Sequence, residues 1–134
     1  MANKLSIIIF SGTTDKLMAA GVLSQAAAAL GNDVEVFVTF WGLLNFTKGE
    51  KKMLLPKEFE HMGPMFMQSI KEHNVPSWYD MLKEAKELGA KIYACSMTCD
   101  LFGISKEQLD PIIDDVVGAA TFITESEGAQ VLFI

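Results

Sequence analysis

The stretch "KLSIIIFSGTTDKLMAAGVLSQAAAALGNDVEVFVTFWG", residues 4–42, determines the expected fold of this chain. Its first part is a nearly continuous apolar, β-branched run closed by a glycine, which predicts a buried strand over 4–11. A Thr/Asp start, alanine-rich helical spacing and a Gly-Asn stop predict a helix over 14–30. "DVEVFVTFWG" predicts the second strand, over 33–41. A strand, a helix and a strand within about forty residues form a βαβ unit, whose crossover is almost always right-handed.

The rest of the chain continues this alternation of helices and strands. Apolar spacing with proline, serine and glycine at the ends predicts helices over 64–73, 76–89 and 118–128. Short apolar runs predict strands over 91–95, 111–117 and 129–134, and 111–117 is also compatible with part of a helix. The alternation predicts a three-layer α/β/α fold with a mostly parallel sheet of about five strands. A chain of 134 residues, half of them apolar, fits one domain, 1–134.

Composition argues against several classes of function. All eleven basic residues are lysines, and seventeen acidic residues bring the net charge to -6. Nucleic-acid binding needs a basic surface and favours arginine, so the composition argues against that class. The N-terminus has one lysine and a short apolar run without a cleavage site, and no stretch approaches the roughly 18 apolar residues that span a bilayer. We therefore expect a cytoplasmic protein without a signal peptide or membrane span.

Three segments follow directly after the first three predicted strands. They are "SGTTDK" at 11–16, "FWGLLNF" at 40–46 and "CSMTCD" at 95–100. Ligands of open parallel sheets bind beyond the carboxyl ends of the strands. The three segments therefore form one site if their strands are adjacent in the sheet.

The third segment contains the only two cysteines of the chain, Cys95 and Cys99. An extended backbone would place their Cα atoms about 13 Å apart, whereas a helix beginning at Ser96 would bring them to about 6 Å, within reach of a strained disulfide. Cys95 lies at a strand end and close to free backbone N–H groups, which lower the pKa of a thiol. It is therefore the better candidate nucleophile, although a buried cysteine often serves only as a small apolar residue.

Other uses of these residues have weaker support. A structural zinc site wants four ligands, and the only histidines, His61 and His73, are twelve residues apart, so no metal site is predicted. Thioredoxin-type chemistry uses Cys-x-x-Cys, which is one residue shorter than the spacing here. "SGTTDK" lacks the nucleotide-binding glycine patterns, and its simpler role is a tight turn with Thr13, Thr14 or Asp15 capping the helix.

Two further features admit a purely structural interpretation. Trp41 is well explained as filling of the core, since aromatic residues are common there. Met53, Met62, Met65 and Met67 give the segment 53–67 an unusual methionine content. Methionine packs adaptably, so this segment is expected to pack against the domain or to form a partner or oligomer surface.

Three stretches together resemble a known family. They are "VPSWYDMLKEAKELGAKIYACSMTCDLFGI" at 75–104, the segment 11–44 from "SGTTDK" to "FWGLL", and "GAATFITESEGAQVLFI" at 118–134. They resemble the DsrE/DsrF-like family of sulfur-relay proteins over nearly the whole chain. The most specific part is "ACSMTCDLFGI" at 94–104, while the Met-rich segment is shorter than the resemblance leads us to expect.

The resemblance implies a small α/β domain that assembles into trimers or hexamers. It also implies a cysteine at a strand end that carries sulfur as a persulfide or thiosulfonate, and by motif position this is Cys95. Cys99 stands where many relatives have methionine, so its role does not transfer as firmly. The resemblance implies that the loop Gly12 to Asp15 and the turn Trp41-Gly42 border the cysteine pocket. It implies no cofactor, and partners such as TusA-like or rhodanese-like proteins.

Three hypotheses for function result. The leading one is a sulfur carrier or sulfurtransferase that uses an accessible, moderately exposed Cys95, with Ser96 beside it and the two bordering segments as its pocket. The second is a thiol–disulfide redox protein that uses Cys95 and Cys99. The third is a small-anion-binding module in which the thiol is incidental. The sulfur donor and acceptor, and the choice between catalysis and carriage, are left open.

Overall fold

The computed structural model describes residues 3–134, which fold around one five-stranded sheet. The strands are β1 (Lys4–Ile9), β2 (Asp33–Val38), β3 (Lys91–Cys95), β4 (Asp115–Val117) and β5 (Gln130–Phe133). The helices are α1 (Thr14–Ala29), α2 (Phe40–Leu43), α3 (Gly63–Glu72), α4 (Trp78–Glu87), α5 (Ser96–Phe102) and α6 (Ala119–Glu125). Short 3-10 turns span Leu44–Phe46, Lys57–Met62 and Lys106–Gln108.

The sheet has the order β4-β3-β2-β1-β5, and every pair of neighbouring strands is parallel. Helices α1 and α4 pack against each other, and both follow strands that step in one direction along the sheet. Helix α6 leads back across the sheet to β5, so right-handed crossovers place it on the opposite face. There the ring of Phe122 stacks on that of Phe37 with centroids 4.7 Å apart. The predicted three-layer fold with a parallel sheet of five strands is confirmed.

Small residues let helix α1 lie close to its neighbours. A Cβ added at Gly21 would lie 3.1 Å from the Cβ of Met81 and 3.2 Å from the carbonyl oxygen of Trp78 in α4. Ala20 and Leu17 of the same helix are fully buried against the sheet layer. Close packing of this kind supplies dispersion contacts that a water-filled gap would lack. The alanine-rich sequence of α1 therefore reflects the short distance between the helices as well as helix propensity.

The second strand is shorter than the predicted range 33–41. It ends at Val38, because Phe40 adopts a φ of 46° and the chain turns into α2. This left-handed conformation is unfavourable for a bulky side chain, so surrounding contacts must stabilise it. One such contact is the close packing of Gly42, where an added Cβ would lie 2.6 Å from the carbonyl oxygen of Ile9. The first strand likewise ends at Ile9, two residues earlier than predicted.

The fourth strand is also shorter than the predicted range 111–117. Residues before Asp115 form a turn in which a carboxylate oxygen of Asp110 accepts the backbone N–H of Ile112 at 2.9 Å. Pro111 has no N–H to donate to a neighbouring strand. Asp114 then accepts the backbone N–H of Ile92 at 2.7 Å through its side chain. Strand pairing with β3 therefore begins only at Asp115.

Two of the points at which the segment between α2 and α4 is held to the domain involve the buried side chains of Asp110 and Thr14. Asp110 is buried and accepts hydrogen bonds from Tyr79 at 2.6 Å and from Lys51 at 2.9 Å. Burial raises the pKa of Tyr79 to about 12, and its hydrogen bond to the carboxylate acts in the same direction. The second point is Leu54, whose backbone exchanges two hydrogen bonds with Thr14 of α1. Beyond this point, none of the ten residues of α3 is fully buried.

Three exposed methionines lie on this loosely held part. Met62, Met65 and Met67 are exposed, whereas Met53 is half-buried next to the anchor at Leu54. None of the helices within residues 3–134 has the length and apolar character needed to cross a membrane.

Substitution of Gly42 by alanine should destabilise the fold. The new methyl group would clash with the backbone of Ile9, so the turn after β2 would have to move, at a cost of about 1–3 kcal/mol in the free energy of unfolding. Urea denaturation followed by circular dichroism measures this change. Gly63→Ala is the matched control, because its added Cβ meets only Leu55 at an ordinary 3.6 Å. Equal stability of the two variants would contradict the packing described here.

Candidate functional site

Cys95 is the last residue of β3 and the N-cap residue of α5. It pairs with Val117 of β4 on one side, and Thr39 follows the last residue of β2 on the other. The strand passes into α5 without an intervening loop, so the cysteine side chain is fixed by two regular elements. Its position beyond the carboxyl end of an inner strand is where parallel sheets place their ligand sites.

Two buried threonines surround the thiol with hydroxyl groups. Thr98, three residues further along in α5, is fully buried, and its Oγ1 lies 2.9 Å from Oγ1 of Thr39. The backbone N–H of Phe40 donates to Thr98 Oγ1 at 3.2 Å. Because Thr98 accepts this bond, its own hydroxyl proton can be directed at the sulfur of Cys95. The left-handed conformation of Phe40 thus places an N–H group where it orients the hydroxyl pair.

The pKa of the Cys95 thiol is shifted below its ordinary value by this surrounding. Burial acts the other way and raises the pKa, because it disfavours the charged thiolate. Hydrogen bonds from the hydroxyl and backbone N–H of Thr98, the hydroxyl of Thr39 and the backbone N–H of Met97 together outweigh burial. The thiolate, which is the reactive form of cysteine, is therefore favoured in the folded chain.

The prediction of a moderately exposed thiol is wrong for the single chain. Cys95 is only 4% exposed and belongs to the apolar core of the domain. The surface is nevertheless near, because Ser96 is half-buried and Met97 is exposed. Whether a residue at a strand end is buried depends on the residues that pack over that end. The position of Cys95 in the sequence does not reveal those residues.

Cys99 lies in the same helix and has the opposite character. It is buried, and burial raises the pKa of its thiol; the negative charges of Cys95 and Asp100 raise it further. Both cysteines are free thiols. The two neighbouring thiols therefore differ in acidity: the pKa of Cys95 is lowered and that of Cys99 is raised.

A cavity of about 660 Å³ lies among the segments that follow β1 and β2. It brings together three of the predicted pocket residues, Gly12, Thr13 and Trp41, but Cys95 is not in its wall. The lining residues are Ser11, Gly12, Thr13, Trp41, Leu44, Asn45, Thr47, Glu50, Lys51, Lys52 and Leu54. The amide of Asn45 donates to the carbonyl oxygen of Gly12 at 3.1 Å and fixes the loop after β1.

Trp41 connects the cavity with the cysteine helix. It is 53% exposed, so it is not the core residue of the structural interpretation. Its ring contacts that of Phe102, the last residue of α5, with centroids 5.7 Å apart. Trp41 thus lies between the cavity and the helix that begins after Cys95.

The remaining predicted residues have other surroundings. Thr14 holds Leu54 by hydrogen bonds, and Asp15 is exposed in the first turn of α1. Thr13 occupies the N-cap position of α1 but makes no side-chain capping bond. Gly42 packs on β1, as described above. Ser96 lies beside the start of α6, where a Cβ added at Gly118 would be 3.8 Å from its Oγ.

Sequence reasoning missed Thr39 and Thr98. A signal for Thr98 existed, because the third residue of a helix faces the N-cap residue, which here is Cys95. To predict the role of Thr39, one would have to know that β2 neighbours β3 and that the two strands end at the same level of the sheet. Within residues 3–134 no group of three or more His, Cys, Asp or Glu side chains is arranged to hold a metal ion.

The fold and this site define a class of small parallel α/β proteins with a buried, activated cysteine at the end of an inner strand. The model of the DsrE/DsrF/DrsH-like family matches residues 1–69 and 46–134. The chain therefore belongs to this family.

Two relatives align over nearly their whole lengths. The uncharacterized protein YrkE of Bacillus subtilis is 36% identical over 156 residues, covering 98% of this chain and 96% of the relative. The sulfur carrier protein DsrE2 of Allochromatium vinosum is 29% identical over 155 residues, covering 98% of each chain. Both alignments are longer than the 134 residues of this chain, so the relatives contain residues that it lacks.

Two solved structures share the fold. The protein MTH1491 of Methanobacterium thermoautotrophicum, whose function is unknown, gives a TM-score of 0.63 at 14% identity and covers 98% of this chain and 99% of that one. The ychN protein of E. coli gives a TM-score of 0.65 at 14% identity and full coverage of both chains. At such low identity these two likenesses establish the architecture alone.

Replacement of Thr98 by valine should raise the pKa of Cys95. The substitution keeps the side-chain shape but removes one of the hydrogen bonds that offset the effect of burial on the pKa of Cys95. Ultraviolet absorbance of the thiolate during a pH titration, in a Cys99→Ala background, measures this change. The thiolate should form at higher pH in Thr98→Val than in the parent. Thr121→Val, on the exposed side of α6, is the control, and an unchanged titration in Thr98→Val would rule out the hydroxyl's role.

Proposed function

We propose that residues 1–134 act as one domain that carries sulfur on Cys95. The cargo is sulfane sulfur held as a persulfide, or a thiosulfonate, and it passes to the thiol of a partner protein. The observation that carries this proposal is the thiol of Cys95 at the end of β3, whose pKa is lowered by hydrogen bonds that include the hydroxyls of Thr98 and Thr39. The family and the relative named as a sulfur carrier support a sulfur-relay role.

The proposed transfer has two displacement steps. In loading, the Cys95 thiolate attacks a sulfane sulfur of the donor; a new S–S bond forms, and the donor's former partner leaves with the bonding electron pair. In delivery, a partner thiolate attacks the outer sulfur and Cys95 leaves as a thiolate. The two steps balance without an external oxidant or reductant. Hydrogen bonds from Thr39 and Thr98 assist delivery, because a thiol of lower pKa is a better leaving group.

Burial of the thiol bears on the choice of donor. A side chain only 4% exposed is reached more easily by a small inorganic donor, such as polysulfide, thiosulfate or tetrathionate, than by another protein. Delivery to a protein thiol would use the near surface at Ser96 and Met97. Free thiols are maintained in a reducing compartment, so we propose that the protein works in the cytoplasm.

The exposed Met-rich segment is the proposed docking surface for TusA-like or rhodanese-like sulfur carriers. Phe59, Met62, Met65 and Met67 present apolar side chains on a segment that is anchored at Leu54. Flexible methionine side chains adapt to varied partner surfaces. A strongly basic patch for nucleic acid is not part of this proposal, since the net charge is -6.

Self-association into a trimer or hexamer is proposed from the face of the sheet that α6 covers. Ile123 of α6 and Phe133 of β5 are each 68% exposed, and Val131 is exposed beside them. Val131 and Phe133 pair with Ser6 and Ile8, so both project from this face. A cluster of large exposed apolar residues on a sheet face is typical of a protein interface.

Loading of Cys95 is tested by exposing the reduced protein to inorganic polysulfide and measuring its intact mass without reductant. We expect an adduct heavier by one sulfur atom, removed by dithiothreitol and absent in Cys95→Ser. Ser96→Ala is the control, because it changes the neighbouring polar residue and keeps the thiol. An adduct of the same yield in Cys95→Ser, or no adduct in either the parent protein or Cys99→Ala, would refute the proposed function.

Self-association is tested by the variant Ile123→Asp. A charge in the centre of an apolar interface would lose its hydration, so the variant should dissociate to monomers. Size-exclusion chromatography with light scattering gives the mass of the assembly. Leu88→Asp places the same charge on an exposed apolar residue at the end of α4, on the other layer, and should leave the assembly intact. A monomeric parent protein would contradict the proposal.

A further inference from the structure

We propose that Cys99 is a resolving thiol that discharges sulfur from Cys95 when no partner accepts it. In this step Cys99 attacks the inner sulfur of the Cys95 persulfide, releases hydrosulfide and closes a Cys95–Cys99 disulfide. The inference rests on the proposed function, because it requires sulfur on Cys95. It gives a role to Cys99, the second of the two cysteines, which the two-step transfer leaves unused.

The helical backbone between the two cysteines brings their Cα atoms to the separation that disulfides span. Helix α5 begins at Ser96, directly after Cys95, and continues past Cys99 to Phe102. Four residues of helix rise about 6 Å, and disulfides join Cα atoms about 4.4–6.8 Å apart. The chain therefore need not unfold for the two sulfurs to meet. A bridge across one helical turn is strained, which makes it easily reduced again.

Burial limits the access of other thiols to Cys95 and Cys99, so the two cysteines are each other's most accessible reaction partners. Both cysteines are buried in the same apolar core, and Cys99 is near enough to feel the charge on Cys95. A persulfide formed on Cys95 is shielded from most solvent thiols by the same burial. Cys99 is buried in the same core, one helical turn from Cys95. Its local concentration as a nucleophile is thus far above that of thiols in solution.

The difference in acidity assigns different roles to the two sulfurs. Thr39 and Thr98 stabilise the anion of Cys95, whereas no hydrogen bond of the described residues stabilises an anion on Cys99. Cys95 is therefore the thiol that loads, and Cys99 stays protonated while Cys95 is charged. Once Cys95 holds an outer sulfur, its own Sγ no longer carries the charge. Sγ is then the uncharged sulfur that Cys99 attacks, and the proton of Cys99 passes to the departing outer sulfur.

The step balances without another reactant. The persulfide anion Cys95–S–S⁻ and the thiol of Cys99 give the Cys95–Cys99 disulfide and one hydrosulfide ion. The Cys99 proton goes to the departing sulfur, and the S–S bond of the persulfide is exchanged for that of the disulfide. The sulfane sulfur gains two electrons, which the two cysteines lose. A dithiol such as dithiothreitol then returns both cysteines to thiols.

The test follows polysulfide-loaded protein over time after removal of excess reagent, by intact mass and by a hydrosulfide assay. In the parent protein we expect the sulfur adduct to disappear, a species two hydrogens lighter than the reduced protein to appear, and one hydrosulfide to be released per chain. In Cys99→Ser the adduct should last about tenfold longer, with no lighter species. Cys99→Ala keeps the site apolar, so it tests loss of the thiol even if the buried serine of Cys99→Ser disturbs the fold. Leu101→Ser is the control for a substitution on the exposed side of α5.

The outcomes separate this inference from the proposed function. Equal adduct lifetimes in the parent protein and both Cys99 variants, with no lighter species, would overturn the resolving role and leave sulfur carriage intact. Absence of the adduct from the parent and from both Cys99 variants would overturn both. A lighter species in the parent together with a stable adduct in the variants would support both, even if the parent adduct is too short-lived to observe.

Discussion

A buried thiolate can exist in this domain only because hydrogen-bond donors replace the water it loses. Burial alone would raise the pKa of Cys95 and leave an inert thiol among apolar neighbours. The hydroxyls of Thr98 and Thr39 and the backbone N–H groups of Thr98 and Met97 together reverse that outcome. This requirement links three elements: β3 supplies the cysteine, α5 supplies Thr98, and the end of β2 supplies Thr39.

The same requirement explains the unusual turn after β2. Phe40 adopts a left-handed backbone conformation, and its N–H group donates to Thr98. Gly42 allows the turn to lie against Ile9, where a larger residue would clash. The turn then presents Trp41 to the neighbouring cavity and to Phe102 of α5. The unfavourable conformation of Phe40 is thus offset by contacts of the same turn, and these contacts position hydrogen-bond donors around the sulfur of Cys95.

Much of the fold was predictable, because it depends on local patterns. The apolar runs and the alanine-rich helix 14–30 specify a βαβ unit, and the strand over 91–95 was found with its bounds, so Cys95 was correctly placed at a strand end. The site was less predictable. The end of β2 depends on the conformation of Phe40, which propensity does not favour. Thr39 and Thr98 meet only through the strand order, and burial of Cys95 depends on tertiary packing. Its exposure was predicted wrongly for that reason.

The central claim is that hydrogen bonds lower the pKa of the Cys95 thiol below its ordinary value although the side chain is buried. Protein labelled with carbon-13 at the cysteine Cβ atoms tests this directly by NMR titration, with Cys99→Ala used to assign the two resonances. The account predicts that Cys95 ionises below the pH at which an ordinary thiol does, and that Cys99 ionises above it. Ionisation of Cys95 at or above the ordinary thiol range would contradict the account.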